Sequence, residues 1–462
     1  MNWRLLIISS PLAITSIFQM GYTNAYPNTA ITGFRKYLNA SHSPPMQLTN
    51  SEFEWIWSGM LAVYFIGFSI GSIITASVAD RIGRKCTLCL GNFGGLLSAI
   101  IALFGIFLNM PMLFGLSRLV MSLSAGISMN ALILLFQESS PTNMKGLISF
   151  NGEMSFVVTN LVGGLCGMKF VLGDNLAGLI GISIVPSAIA CLLSTLLKES
   201  PKYLYLKQND PDGAARSLKF YQNLKDDEEN MKFLNELKME QEESNLKNDT
   251  IFDILTTQPH RRGFLLGVAT MQLTASIWPI IFYSTDFLID VGFSFSFAEI
   301  VSTTMLFIST FSTFIGMFAV ELFSRKWLLI ITAILNVTSL LVFSLCVYFQ
   351  KKLPGIEYGC VVTLITHGIS YSVAMGPIAW FITSELVPMN CRAISQSLVL
   401  AVNHFVSLII AFLTFPLYKT MGPLILVIFY VVPGVICIQI LIKYLPETKD
   451  KHINEVVEEL KK

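Results

Sequence analysis

Residues 138–145 read ESSPTNMK, and residues 385–392 read ELVPMNCR. Each is Glu, two residues, Pro, one residue, Asn, one residue and a cation. They stand 247 positions apart in a chain of 462. DRIGRK at 80–85 is answered by ELFSRK at 321–326, and KESPKYL at 198–204 by LPETK at 445–449. Three elements recurring in one order at near-constant offset mark a duplicated domain, with both copies in parallel orientation.

What lies between these motifs fixes the class. The chain is 53% hydrophobic and only 13% charged. Soluble domains run nearer a quarter charged, so the bilayer is the expected solvent. A spanning helix needs about 20 apolar residues. Six such runs lie near 5–24, 55–79, 88–108, 111–136, 147–171 and 175–197. Six more follow near 263–287, 294–320, 327–348, 358–384, 395–417 and 422–445. The first run, behind MNWR, also reads as a signal peptide. An even helix count with both termini on one side requires it as a span. The expected architecture is therefore all-α, with twelve transmembrane helices in two parallel six-helix bundles, 1–197 and 263–445. A cytoplasmic helical linker, 198–262, joins them, and a tail, 446–462, follows.

The linker is the one sizeable polar stretch. Asp210 and Pro211 read as an N-cap and first helical position. Phe233, Leu234 and Leu237 fall on one stripe of a second amphipathic segment. A surface cover or gate brace fits such helices better than a binding domain. The linker holds eleven Lys and Arg, and Arg81, Arg84 and Lys85 follow the second run. The opposite loops hold mainly Arg35, Lys36, Lys351 and Lys352. Basic loops face the cytoplasm, which puts both termini inside and a multi-pass protein in, we expect, the plasma membrane. The sequon at Asn39 then falls outside and can take a glycan.

Several classes are excluded or unsupported. A net charge of +1 gives no nucleic-acid signal. No GxxxxGK[ST] loop offers ATP a site, and no nucleophile elbow or metal constellation appears, so neither an enzyme nor a cofactor is expected. Cys86 and Cys89 form a CxxC without a second ligand pair. Most of the eight cysteines sit in apolar runs, where the thiol behaves as a small hydrophobe.

The repeated charges all fall at cytoplasmic helix ends. In each half an acid, Glu138 or Glu385, lies on a loop neighbouring cations, Arg84 and Lys85 or Arg325 and Lys326. Lys145 and Arg392 follow seven residues after their Glu, with Glu199 and Glu447 available as partners. Two readings compete: a latch of ion pairs that breaks and re-forms as helices move, and a simple topological mark of the positive-inside rule. The rule has no need of the acids, which favours the latch.

On these motifs, with QLTASIWPIIFYS at 272–284 and GPIAWFITSELVPMNCR at 376–392, nearly the whole chain resembles the sugar porter family of the major facilitator superfamily. It is most similar to the animal facilitative hexose transporters. The resemblance implies two bundles around a central solute site, with the cytoplasmic salt bridges stabilising the outward-facing state. It also implies sugar contacts at Gln272, Trp380 and Asn403. The chain departs from the family pattern at several of these places. Leu273 and Trp278 replace an amide pair's second member and an Asn. Ser372 replaces a Glu, His404 a Trp, and Glu153 a Gln. Losing amides removes partners for sugar hydroxyls. Each of the retained residues has a plainer reading as a helix-to-helix bond or packing residue.

Glu153 lies eight residues past Lys145, roughly 12 Å along a helix at 1.5 Å per residue. A carboxylate at that depth marks a functional site by default. The family's proton-coupled members carry an acid where this chain has Thr23. The leading expectation is a facilitative carrier for a hexose or similar small polyol, working by alternating access. A proton-coupled symporter using Glu153, with His404, is the alternative. A transporter-like nutrient sensor is a remote third, since no loop or tail has room for a signalling domain.

Overall fold

The computed structural model describes residues 3–41, 48–140, 145–222, 251–449, 451 and 453–461. No strand occurs among them. The long helices are α1 (Trp3–Thr29), α2 (Asn50–Ile82), α3 (Arg84–Phe107), α4 (Pro111–Ser139), α5 (Lys145–Gly167) and α6 (Leu176–Leu196), then α7 (Gln258–Asp290), α8 (Phe295–Leu322), α9 (Arg325–Phe349), α10 (Glu357–Leu386), α11 (Met389–Met421) and α12 (Leu424–Tyr444). Eleven are long and apolar enough to cross a membrane. The exception, α5, carries Asn151, Glu153 and Asn160, which lower its mean hydropathy. All twelve expected runs are thus helical. The first continues to Thr29 and is followed by a further helix, Ile31–Ala40.

Proline and small residues shape these helices. Pro279 follows a 3-10 turn at Thr274–Ser276 inside α7. Pro377 follows a π turn at Tyr371–Met375 inside α10, and Pro433 a π turn at Val427–Val431 inside α12. Proline has no N–H to give, so the preceding turn re-spaces its hydrogen bonds. Broken helices are tolerated at membrane depth where protein covers the freed backbone or a cavity is lined. Close backbone approach replaces hydrophobic driving force between helices in lipid. A Cβ on Gly71 of α2 would stand 2.2 Å from the Leu123 carbonyl of α4, and one on Gly316 of α8 would stand 2.2 Å from that of Val373 in α10.

The chain forms two compact units. The first comprises Met1–Thr23, Val63–Thr159 and Leu176–Asn248; the second comprises Asn24–Ala62, Asn160–Asn175 and Asp249–Lys462. Helices α1, α2 and α5 therefore give one end to each unit. In the first, the linker helix Pro211–Gln222 forms as the sequence suggests, with Asp210 accepting from the Gly213 N–H at 2.8 Å and Pro211 opening the helix, and a further short helix, Pro201–Leu206, precedes it. Ala214 and Leu218 pack against Leu204 and Tyr205. The stripe at Phe233, Leu234 and Leu237 lies outside the described residues. In the second unit a short tail helix, Ile453–Lys461, buries Val456 and Leu460. Arg262 donates to the Leu460 carbonyl at 2.8 Å.

Candidate functional site

The repeated motifs build the same device in each unit. In the first, Gly83 has φ 93° and turns the chain from α2 into α3. A Cβ there would lie 2.3 Å from Glu199 Oε2, so glycine serves both the left-handed backbone and the close approach. The Glu199 carboxylate accepts from the backbone N–H groups of Arg84 (2.9 Å) and Lys85 (3.1 Å). It thus places a charge on the positive end of the α3 dipole. The Arg84 guanidinium pairs with Glu138 at 2.9 Å through Nη2 and 3.2 Å through Nε, and with Asp80 at 3.1 Å. The Arg84 and Glu138 side chains are only 11% and 12% exposed, which separates this pair from a loose surface bridge. Ser200 donates to Glu138, and the guanidinium lies 5.1 Å from the centre of the Tyr203 ring.

The second unit repeats the arrangement. Glu447 accepts from the N–H groups of Arg325 (3.1 Å) and Lys326 (3.2 Å) at the start of α9, and from the Ser324 hydroxyl. It also accepts from Thr448 and Lys449, each at 3.0 Å. Burial pushes the Glu447 carboxyl up, but the Ser324 hydroxyl and these N–H groups outweigh it and hold its pKa below the ordinary carboxylate value. Arg325 pairs with Glu385 and lies 5.2 Å from the centre of the Phe381 ring.

Glu199 and Glu447 are therefore helix caps, which sequence alone did not indicate. Arg392 does not pair with Glu447; its Nε is buried with no partner among the described residues. The Lys145 side chain lies outside the described residues. Lys326 places its ammonium 6.0 Å from the Trp327 ring.

The expected solute contacts lie mainly in the second unit. Gln272 sits two residues before the 3-10 break of α7, half-buried, with its Nε2 fully buried and without a hydrogen-bond partner among the described residues. Asn403 of α11 donates to the Met271 carbonyl at 2.8 Å, tying α11 to α7 beside Gln272. Trp278 is buried, with its ring centre 5.9 Å from that of Phe282. His404 is buried and bonded to the Leu400 backbone one turn earlier on its own helix. Trp380 is half-buried against the core of Phe264, Met271, Ala379 and Val399, and its carbonyl accepts from Gln396 at 2.7 Å. Glu153 lies in the first unit, half-buried, without a hydrogen bond or ion pair among the described residues.

Several polar residues were not anticipated. Asn336 of α9 donates to the His367 carbonyl (3.1 Å) and to Ser370 (3.0 Å), while Ser276 in the α7 break touches both Asn336 and His367 at 3.1 Å. His367 is thus a buried histidine held through Nε2, with its Nδ1 without a partner among the described residues. Asn92 of α3 does the corresponding work in the first unit, bonding Ser16, the Ala190 carbonyl and Ser128. The only signal was a single amide in each of two apolar runs. Arg118 of α4 is buried and donates to the Thr23 carbonyl at 2.7 Å. In the second unit, Asn28 bonds Ser284 (2.8 Å) and the Thr285 N–H (3.0 Å), and Asp290 pairs with Lys419 at 2.6 Å.

Long apolar helices, a duplicated charge device at matching helix starts and polar groups buried at helix breaks define a membrane carrier of the major facilitator architecture. The chain belongs to the Sugar (and other) transporter family, whose model matches residues 8–460. Solute carrier family 2, facilitated glucose transporter member 5 of Mus musculus is 25% identical over 452 residues, spanning 96% of this chain and 89% of that protein. Facilitated glucose transporter member 2 of Sus scrofa is 26% identical over 414 residues, spanning 88% and 78%. Among solved structures, the inward-open xylose transporter of E. coli superposes with a TM-score of 0.77 at 18% identity, over 98% of this chain and 99% of that one. These similar proteins are carriers rather than enzymes, and this chain is a multi-pass membrane carrier.

Proposed function

We propose that the protein carries a hexose or similar small polyol by facilitative uniport. The observation that carries this reading is Gln272. A buried amide N–H left without a partner costs free energy, which a solute hydroxyl would recover. It stands at a helix break, where a polar ligand finds backbone and side-chain partners together. Trp380, Asn403, Trp278 and His404 belong to the same proposed site in the second unit, and Glu153 is a further proposed solute contact in the first. The names of the similar carriers support a sugar as the solute. Transport would proceed by alternating access of the bundles 1–197 and 263–445, with Arg84–Glu138 latching the first and Arg325–Glu385 the second, and Lys85, Lys145, Glu199, Lys326, Arg392 and Glu447 among the gate residues. Both termini would face the cytoplasm of a cell bounded by the plasma membrane, and Asn39 would take its glycan outside before the helix Ile31–Ala40 packs.

Proton symport is the second reading, favoured by one observation: Glu153 is a carboxylate without a partner among the described residues. Against it, the site of the family's proton-coupled acid holds Thr23, whose carbonyl is taken by Arg118. Uptake of a panel of radiolabelled sugars and polyols into proteoliposomes, with and without an inward proton gradient, tests both. Uniport predicts equilibration without accumulation in either condition. Gradient-driven accumulation would replace it with symport, and no uptake of any sugar would remove the substrate reading.

A further inference from the structure

Helix α9 begins at Arg325, in the basic end of the repeat. Cys346 follows 21 residues later, about 32 Å along the helix at 1.5 Å per residue, and therefore at the opposite face of the span. Cys360 lies in the first turn of α10, just after the turn that joins the two helices. Cys346 is 6% exposed and Cys360 0%. The Cys346 and Cys360 side chains stand close enough to interact. Gly359 permits this approach: a Cβ at that position would stand 2.8 Å from the Cys346 sulfur. Both stand as thiols in the structure. Cys86, by contrast, lies in the first turn of α3 at the basic end, and is exposed.

We propose that Cys346 and Cys360 are joined by a disulfide in the mature protein, tying the non-cytoplasmic ends of α9 and α10. The inference rests on the orientation given above, because that face meets an oxidising compartment during synthesis while the basic face meets reducing cytosol. The oxidant is a disulfide of the secretory lumen, either glutathione disulfide or an oxidised protein dithiol. One cysteine thiolate attacks it, and the first reduced thiol leaves. The second cysteine thiolate then attacks the mixed disulfide, and the second thiol leaves. Two protein thiols are oxidised and one external disulfide is reduced to two thiols. The sulfurs are buried in the folded protein, so the bond forms while the α9–α10 hairpin assembles. Its loop spans only residues 346–360, so the partners meet early, before distant helices pack. The outer ends of α9 and α10 then move as one body during transport.

The test uses the full-length protein in membranes from intact cells. The protein is denatured and alkylated without reductant, then reduced and alkylated with an isotopically heavier reagent, and its peptides are weighed. Cys346 and Cys360 should carry only the heavy label, with Cys86, Cys89 and Cys191 light. An unreduced digest should contain the joined peptide. Cys346→Ser should move Cys360 to the light label. Light label on both cysteines of the wild-type protein would overturn the proposal. A second arm checks the orientation by itself. In a Cys346→Ser/Cys360→Ser background, Lys351→Cys on the exposed connecting turn is offered a membrane-impermeant maleimide on intact cells. Labelling there together with light wild-type cysteines sinks the disulfide alone. Absence of labelling on intact cells, with labelling after permeabilisation, sinks the orientation and the proposal with it.

Discussion

Gln272 and Glu153 are the residues on which the solute reading turns, and each is a polar group that the protein's own described residues leave unpartnered. Gln272 stands next to Leu273, where related carriers present a second amide, so one side chain carries what two would share. Replacing it with Ala should weaken solute binding by about 1–3 kcal/mol, roughly 5- to 150-fold in apparent affinity, the usual cost of losing a hydrogen bond to a buried partner. Countertransport at varied sugar concentration measures this; unchanged apparent affinity would remove Gln272 from the site. Asn403 differs, because its amide is spent on the Met271 carbonyl. Asn403→Ala should therefore cost thermal stability as well as affinity. Glu153→Gln restores the amide common in related carriers and removes a titratable group. On the uniport reading it transports at a comparable rate with flatter pH dependence. Loss of accumulation with intact exchange would instead mark Glu153 as a coupling carboxylate.

The repeated charge device belongs to the scale of elements. Each copy fixes the start of a helix, α3 or α9, with a carboxylate cap and joins it through a guanidinium to the end of another, α4 or α10. Glu138→Ala leaves the largely buried Arg84 with one carboxylate partner, Asp80, one turn earlier. Glu385→Ala leaves Arg325 without its ion pair. Both variants should insert normally and show strongly reduced net uptake, checked by surface biotinylation beside sugar flux; two single variants transporting at the wild-type rate would leave the latch without support. The Glu447 cap also makes a pH prediction. Its pKa is held below the ordinary carboxylate value in the folded protein. The stabilisation it gives is therefore complete above the unfolded-state pKa and is lost as pH falls through the lower folded one. Purified protein should lose thermal stability on acidification below about pH 4, near the reference carboxylate value. Glu447→Gln should start less stable and show a shallower acid limb. An identical acid limb in the variant would assign that loss to other carboxylates.

At the scale of the whole molecule, the sequence was informative where the bilayer imposes a rule and silent where packing decides. Run length predicted twelve helices because hydrocarbon tolerates only satisfied backbone, and the octet spacing exposed the duplication because charges at membrane edges are few. The breaks in α7, α10 and α12 were less visible: a proline in an apolar run says that the helix is disturbed, but not that a 3-10 or π turn absorbs it. The caps at Glu199 and Glu447 escaped because a carboxylate among cations reads as an ion pair when only side chains are considered. Asn92, Asn336 and Arg118 escaped because their partners, mainly on other helices, depend on helix rotation, which hydropathy does not encode. Gln272, Trp380 and Asn403 were expected only through family resemblance, and the structure places them on or against α7. The central claim, that this is a facilitative sugar carrier, is tested most directly by uptake of labelled hexoses into proteoliposomes of the purified protein under imposed proton gradients of either sign. The account predicts saturable equilibration to the external concentration, unaffected in extent by the gradient and competed by unlabelled sugar. Accumulation above the external concentration under an inward proton gradient would contradict uniport, and no saturable hexose flux would contradict the claim as a whole.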